Sequence, residues 1–215
     1  MSGGRVELGL GTGWFDAEHA AYGLAFPGLG ERFSILEEQL AVITGLWSAR
    51  DGEPFSFSGK HYSVADSPAL PKPVQQPGPP VIIGGGGQKR TPRLAAAYAS
   101  EYNAGFDRVP GTLAAYERVR AAVAATGRAE SSMTYSAAQV VCCGRDPAEL
   151  ARRAAAIGRE PDELRQNGLA GTPDEIVAKI GQFAAIGTDV VYFQVLDLDD
   201  IEHLELLAAE VLPAV

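Results

Sequence analysis

The residues best placed to do chemistry in this chain form a glycine loop between a short apolar run and the start of a helix. The loop and the positions after it contain Gly84, Gly85, Gly86, Gly87, Lys89, Arg90 and Thr91. Glycine has no Cβ, so its backbone can adopt positive φ and a ligand can approach it closely. A helix N-terminus adds free N–H groups and about half a positive charge. This combination predicts a phosphate-binding loop.

The same glycine loop (residues 84–87) has a simpler interpretation, because glycine clusters after strands are often only tight turns. It is not a Walker loop, since no Gly-Lys-Ser/Thr follows at the required spacing. It also lacks the G-x-G-x-x-G pattern and the acidic residue of a dinucleotide fingerprint. In the phosphate-binding interpretation, Thr91 is predicted to cap the helix and Pro92 to occupy its first position.

A second glycine-rich strand end, the glycine turn, lies near the start of the chain. Its residues are Gly11, Thr12, Gly13 and Trp14, directly after an alternating apolar run at residues 5–10. An aromatic ring at Trp14 can pack on a ring-shaped ligand, or it can simply plug the end of a sheet. His19 in the next loop is an acid/base candidate, although a single loop histidine is more often a hydrogen-bonded surface residue.

The elements that must position these segments alternate along the chain. Strands are predicted at residues 5–10, 81–83, 102–106, 133–143 and 190–196, and helices near residues 30, 92, 113, 148, 173 and 201. Thr172, Pro173 and Glu175 form the strongest helix start, because they match a capping box with proline first. Alternation of this kind predicts an α/β fold with a parallel sheet and helices outside.

The two glycine segments are expected on the same face of that sheet. In parallel α/β folds, ligands bind at the C-terminal ends of the strands, where both segments lie. Two glycine-rich strand ends on one face indicate a large, flat, phosphorylated cofactor. Residues 51–76 interrupt the alternation as an insertion, and residues 54–64 within it are predicted to form a β-hairpin. Such an insertion usually covers a site or forms an interface.

Composition restricts the class of protein. The 215 residues carry a net charge of −9 without a basic stripe, which argues against nucleic acid as a partner. No apolar run reaches membrane-spanning length and the N-terminus lacks the apolar core of a signal peptide, so we expect a cytoplasmic protein. Cys142 and Cys143 are adjacent in a predicted strand and are expected to be reduced structural thiols. With three histidines and no other cysteine, a structural zinc site is not expected.

Beyond these arguments, the chain resembles the luciferase-like monooxygenase superfamily, in particular its flavin- and deazaflavin-dependent oxidoreductases. The resemblance covers nearly the whole chain, with motifs at residues 2–14, 30–33, 36–38, 69–73, 84–91 and 171–175. It implies an eight-stranded TIM barrel with an insertion and a cofactor that is coenzyme F420 or FMN. By the same resemblance, residues 84–87, Arg90 and Thr91 hold the cofactor phosphate and residues 11–14 lie near its ring. The implied chemistry is hydride transfer on a small organic substrate, whose identity nothing in the sequence specifies.

The chain departs from the family at its start. Ser-Gly-Gly-Arg, which opens the fourth barrel strand in the family, stands here at residues 2–5. We therefore expect one domain over residues 1–215 with about five βα units, corresponding to strands 4–8 of an incomplete barrel. The remainder would come from an N-terminal segment that this sequence lacks, or from a partner such as a second copy. The catalytic acid or base stays unknown.

Three functions stay open at this stage. The chain is an oxidoreductase of this superfamily or its C-terminal part, a non-catalytic flavin- or phosphate-binding half-barrel that acts by association, or an inactive remnant. Bound yellow or fluorescent cofactor would separate the first two from the third, and hydride transfer would separate the first from the second.

Overall fold

The structure of the chain is a computed structural model that describes residues 2–215. Its strands are β1 (Leu8–Leu10), β2 (Phe55–Ser58), β3 (Ser63–Ser67), β4 (Val81–Gly84), β5 (Glu101–Gly105), β6 (Thr134–Cys143), β7 (Leu169–Gly171) and β8 (Val190–Gln194). Its helices are α1 (Asp16–Ala21), α2 (Leu29–Ser48), α3 (Arg90–Tyr98), α4 (Val109–Ala125), α5 (Pro147–Ala156), α6 (Pro161–Asn167), α7 (Pro173–Ala185) and α8 (Ile201–Leu206). The alternation of strand and helix confirms the α/β class.

A parallel sheet runs in the order β1, β4, β5, β6, β8. The short strand β7 pairs with the last three residues of β6, and this strand was not predicted. Within residues 2–215, β1 pairs only with β4 and β8 only with β6, so the sheet is not closed. This confirms the expected open arc of strands. Each end of the arc carries the unpaired N–H and C=O groups of an edge strand.

The two faces of the sheet are covered differently. On β8, Val191 and Phe193 pack against the buried cluster formed with α7 and α8. Val190 and Tyr192 alternate with them and are 37% and 40% exposed. Side chains of a strand point alternately to opposite faces, so the helices cover one face of the arc. The other, inner face is less covered at this edge of the sheet.

Local signals predicted most element types, but several boundaries differ from the prediction, among them the starts of β1 at Leu8, α4 at Val109 and α3. Helix α3 begins at Arg90, so its N-cap is Lys89 and no side chain caps it. Thr91 is therefore not the predicted cap, and Pro92 is not the first helical residue. The capping box at α7 is confirmed, because the Thr172 side chain accepts from the Glu175 N–H and the Glu175 carboxylate accepts from the Thr172 N–H.

The predicted hairpin is confirmed as the antiparallel pair β2–β3, which lies between α2 and β4. One carboxylate on α2 holds it: Glu38 accepts hydrogen bonds from the main-chain N–H groups of Lys60, His61 and Tyr62 at 2.8, 2.8 and 2.9 Å. The broader bounds of the insertion, residues 51–76, stay a prediction. No helix in the described part of the chain is long and apolar enough to cross a membrane.

The adjacent cysteines end strand β6. Both thiols are buried and neither forms a disulfide, as expected for structural thiols. They belong to different apolar clusters, Cys143 with α7 and Cys142 with α5 and α6. Burial raises the pKa of both thiols, that of Cys143 to about 12, so they stay protonated at neutral pH.

Candidate functional site

A large cavity of about 1320 Å³ opens at the C-terminal ends of the parallel strands. Both glycine segments line it, as the sequence predicts. The predicted site residues that line the cavity are Gly11, Thr12, Gly13, Trp14, Gly84, Gly85, Gly86, Gly87 and Thr91. The cavity therefore brings together nine of the ten predicted site residues, and the tenth, Arg90, is not part of its lining.

Two positions of the glycine loop, Gly85 and Gly87, require glycine. Gly85 has φ of +120°, a conformation that side-chain-bearing residues rarely adopt. A Cβ on Gly87 would stand 2.5 Å from Thr91 Oγ1 and 3.3 Å from Phe33 Cζ. The hydroxyl of Tyr102 on β5 donates a hydrogen bond to the Gly85 carbonyl at 2.8 Å, which fixes the loop against the core. The loop therefore offers bare backbone to a ligand at a fixed position.

The N-terminus of α3 completes this cradle. Because no side chain caps the helix, its first-turn N–H groups are available to an external acceptor. Thr91, 3% exposed, lies in the first turn and lines the cavity. Backbone N–H groups at a helix start beside a glycine loop suit a phosphate group. The residues present therefore fit the phosphate that the sequence predicts there.

Arg90 has other partners than a phosphate. Its guanidinium donates to Glu37 Oε2 at 2.7 Å, to the Gly30 carbonyl at 2.9 Å and to Ser34 Oγ at 3.3 Å. All three partners belong to α2, so the side chain ties the start of α3 to that helix. Only the main-chain N–H of Arg90 is left to contribute to the cradle.

The glycine turn is held by Arg32, which sequence reasoning quoted within a motif but gave no role. Its guanidinium donates to the carbonyls of Thr12 at 3.1 Å and Gly13 at 2.6 Å. It also lies over the ring of Phe26, 3.9 Å from the centroid. Trp14 lines the cavity with 82% of its surface exposed, so it stands at the cavity rim and does not plug the end of the sheet.

The structure favours the second interpretation of His19, that of a hydrogen-bonded residue and not an acid/base group. Its Nδ1 is 2.9 Å from the Phe15 carbonyl and its ring packs on Phe26 with centroids 4.5 Å apart. It is absent from the residues that line the cavity. These contacts describe a hydrogen-bonded residue of α1 that supports the glycine turn.

The floor of the cavity carries polar groups that the sequence analysis missed. Asn103 on β5 and Tyr192 and Gln194 on β8 line it. Behind them, Ser136 and Glu101 are 0% and 8% exposed, and Ser136 Oγ donates to Glu101 Oε1 at 2.6 Å. Their only sequence signal is that polar residues occupy alternate positions of strands whose other positions are apolar.

The hydroxyl of Tyr192 belongs to the same polar group. Burial and then a hydrogen bond to the Glu101 side chain raise the pKa of Tyr192 to about 12, with the charge of Glu7 acting in the same direction. Tyr192 is therefore protonated at neutral pH.

A further wall of the cavity comes from α6 and the loop before it. Arg159, Glu163 and Asn167 line this wall. The Arg159 guanidinium binds the Glu163 carboxylate in a bidentate pair, with Nε at 2.8 Å and Nη2 at 2.6 Å. The hydrogen bond from Arg159, with a second from Asn167, holds the pKa of Glu163 below its ordinary value. The wall is thus polar and its charges are internally paired.

Comparison with a solved structure shows the fold. The chain superposes on an F420-dependent secondary alcohol dehydrogenase in complex with an F420–acetone adduct with a TM-score of 0.82, over 98% of this chain and 70% of that one, at 18% identity. The open arc therefore has the fold of the TIM-barrel luciferase-like enzymes.

Sequence relatives carry two cofactor names. The FMNH2-dependent dimethylsulfone monooxygenase of Pseudomonas putida is 28% identical over all of this chain and 67% of its own length. The F420-dependent glucose-6-phosphate dehydrogenase of Kineococcus radiotolerans is 31% identical over 69% of this chain and 43% of its own length. The chain thus spans about two thirds of the first relative and less of the second. Residues 1–161 match the family described as luciferase-like monooxygenase. The chain belongs to the luciferase-like monooxygenase family.

Proposed function

We propose that this chain forms the phosphate- and ring-binding part of a flavin- or deazaflavin-dependent oxidoreductase. The reaction class is hydride transfer or monooxygenation of a small organic molecule, with F420 or FMN as cofactor. One observation carries the proposal: two glycine-rich strand ends, 73 positions apart between Gly11 and Gly84, meet in one cavity beside an uncapped helix N-terminus. The names of the FMNH2- and F420-dependent relatives support the choice of cofactors.

Each part of the site has a separate role in this proposal. The main chain of the glycine loop (residues 84–87), Arg90 and Thr91 binds the phosphate, and Thr91 lies close enough to contribute its hydroxyl. The glycine turn (residues 11–14), held by Arg32, lies along the ring, with Trp14 at the cavity mouth. Leu29 and Phe33 supply apolar lining that excludes water. The bound cofactor supplies the hydride or activates oxygen.

We also propose that the open arc is completed by further strands, either from a second copy of this chain or from an N-terminal segment that precedes it. The edge strands β1 and β8 and the exposed inner-face side chains support this. The catalytic acid or base stays unassigned in this proposal. We propose a cytoplasmic location, which two buried unpaired thiols fit.

Cofactor binding tests the proposal directly. The chain is titrated with FMN, riboflavin and F420 while the ligand fluorescence is recorded. Because the cradle is specific for the phosphate, we expect FMN to bind at least tenfold more tightly than riboflavin, a difference of about 1.4 kcal/mol. Equal affinities for FMN and riboflavin would remove the glycine loop from the site. The ratio of FMN to F420 affinity then decides the cofactor.

A second candidate function is a non-catalytic flavin-binding half-barrel that acts by association. The unclosed sheet favours it. Both functions bind cofactor, so an assay of cofactor reduction or oxidation by the chain, with and without an added complementing segment, separates them.

A further inference from the structure

The floor of the cavity contains a chain of three hydrogen-bonded side chains. Asn103 Nδ2 donates to Ser136 Oγ at 2.8 Å, and Ser136 Oγ donates to Glu101 Oε1 at 2.6 Å. Asn103 lines the cavity, whereas Ser136 and Glu101 are buried behind it. The sheet register explains the arrangement, because Asn103 on β5 pairs with Ser136 on β6 and Glu101 lies two positions earlier on the same face.

These hydrogen bonds determine the orientation of the Asn103 amide. A serine hydroxyl has one hydrogen, and Ser136 gives it to Glu101. The Ser136 oxygen can then only accept, so the NH2 group of Asn103 must face it. The Asn103 carbonyl therefore faces the other way, with Oδ1 3.9 Å from the position that a Cβ would take on Gly105, a cavity-lining residue.

One oriented acceptor, Asn103 Oδ1, thus lies at the cavity floor, and the Tyr192 side chain lines the same floor. Glu101 and Glu7 place negative charge near Tyr192. An anionic ligand group at this floor would meet an acceptor and like charge, whereas a neutral group with an O–H to donate would be satisfied. The floor therefore suits an uncharged hydroxyl-bearing group.

The register also places this acceptor beside the phosphate cradle. Asn103 pairs with Gly84, the first residue of the glycine loop. In FMN and in F420, a hydroxylated chain joins the phosphate to the ring. Resting on the proposed function, we propose that Asn103 is a ligand-binding residue whose Oδ1 accepts a hydrogen bond from an aliphatic hydroxyl, and that Ser136 is the positioning residue that orients it. That hydroxyl comes from the cofactor chain or from an alcohol substrate.

The experiment compares FMN with FMN analogues that each lack one hydroxyl of the chain that joins the phosphate to the ring. In the wild-type chain we expect one analogue to bind about three- to tenfold more weakly than FMN, as for one neutral hydrogen bond. Asn103→Leu is expected to weaken FMN binding by the same factor and to remove the discrimination between the two ligands. Ser136→Ala is expected to reduce the discrimination, because the amide can then turn over.

The ratio of the two affinities separates binding from folding, since a general loss of structure weakens both ligands alike. Gln166→Leu removes an exposed amide of α6 that is not part of the cavity lining, and it is expected to leave the ratio unchanged. Circular dichroism of each variant confirms the fold. A ratio that is the same in the wild-type chain and in Asn103→Leu contradicts the cofactor-chain source.

Glycerol serves as the second probe, observed by NMR with the chain alone and with the chain loaded with FMN. Loss of glycerol contact in Asn103→Leu, with FMN affinity unchanged, assigns the hydroxyl to a substrate. If neither FMN discrimination nor glycerol contact depends on Asn103, the inference is overturned. Failure of the wild-type chain to bind FMN or F420 at all would instead overturn the proposed function, and the glycerol measurement on the chain alone would still test Asn103.

Discussion

The hydroxyl of Tyr102 donates a hydrogen bond to the main-chain carbonyl of Gly85 at 2.8 Å. Tyr102 is a core residue of β5, 2% exposed, and burial raises the pKa of its hydroxyl, which therefore stays protonated at neutral pH. The glycine loop is thus attached to the buried core of the sheet. This matters because a phosphate cradle made of backbone must hold its N–H groups in place before the ligand arrives.

Replacement of Gly85 by valine should disrupt this cradle. The residue has φ of +120°, which a β-branched residue does not adopt without strain. We expect FMN or F420 affinity to fall at least tenfold, about 1.4 kcal/mol. Gly127→Val is the matched control, since Gly127 also has positive φ but follows α4 and does not line the cavity. Titration by ligand fluorescence checks both; unchanged affinity in the valine variant would exclude the loop from the site.

Trp14 should report cofactor binding. It stands on the cavity rim and is 82% exposed, whereas Trp47 packs against the core. In a Trp47→Phe background, we expect a bound ring system to change the emission of Trp14. Fluorescence titration with FMN measures this, and the double variant Trp14→Phe/Trp47→Phe supplies the blank. Emission that stays constant at saturating cofactor would contradict the placement of Trp14 near the ring.

Glu38 should control the order of the hairpin. Burial acts to raise its pKa, but the main-chain N–H groups of Lys60, His61 and Tyr62 outweigh burial and lower it. A lowered carboxyl pKa means that the contribution is present above the unfolded-state value and is lost as pH falls through the folded-state value. Glu38→Ala is expected to speed proteolytic cleavage within residues 55–67 at pH 7.

In the wild-type protein, faster proteolytic cleavage of the hairpin should appear only at acidic pH, when the Glu38 carboxylate becomes protonated. The exposed carboxylate Glu53, which pairs only with Arg50, provides the control variant Glu53→Ala. Limited proteolysis followed by mass spectrometry locates the cuts. Equal cleavage rates in the Glu38→Ala and Glu53→Ala variants would show that the three hydrogen bonds do not hold the hairpin.

His203 should make stability depend on pH. Its Nε2 accepts a hydrogen bond from the Cys143 N–H at 2.9 Å, so the ring must be neutral at this nitrogen. Burial, with the Arg153 charge, lowers its pKa, against the smaller opposite effects of Asp200, Asp197 and Glu149. A lowered histidine pKa means that the unfolded chain binds the proton more tightly. Stability is therefore fully present above the ordinary pKa and is lost as pH falls below about 6.5.

Urea unfolding between pH 5 and pH 8 measures this effect. In His203→Leu the Cys143 N–H loses its acceptor, and we expect a loss of about 1–3 kcal/mol at pH 7.5 together with a flatter pH profile between pH 5 and pH 7. His19→Leu, on the short helix α1, is expected to keep the wild-type profile. A profile unchanged by His203→Leu would assign the pH dependence to other groups.

The open edges should govern association. Val190 and Tyr192 leave apolar surface on the inner face, and each Å² in water costs about 25 cal/mol. A few hundred Å² would amount to several kcal/mol, against a typical net stability of about 5–15 kcal/mol. We therefore expect the isolated chain to dimerise, to aggregate or to require a complementing segment, and to show little hydride transfer alone. Sedimentation and a cofactor-reduction assay check this; a stable, active monomer would contradict it.

The sequence determined the parts of this protein that depend on neighbouring residues. The run Val81–Ile83, the capping box of Thr172 and Glu175 and the cluster of glycines each specify their local backbone, because side-chain branching, capping and the missing Cβ act within a few positions. The order of these elements then implied the parallel sheet and the shared face of the two glycine segments. Membership of the family followed from the same local motifs.

Only the tertiary structure decided which side chains meet across the chain. Arg90 lies beside the glycine loop in sequence but binds Glu37, 53 positions away, and Arg32 holds the carbonyl of Gly13 from a different element. The acceptor at the cavity floor forms only when strands β5 and β6 pair in the observed register. The local pattern of polar residues does not predict this register. Such contacts depend on long-range packing, where the partner of a guanidinium or an amide is set by geometry rather than by its neighbours in sequence.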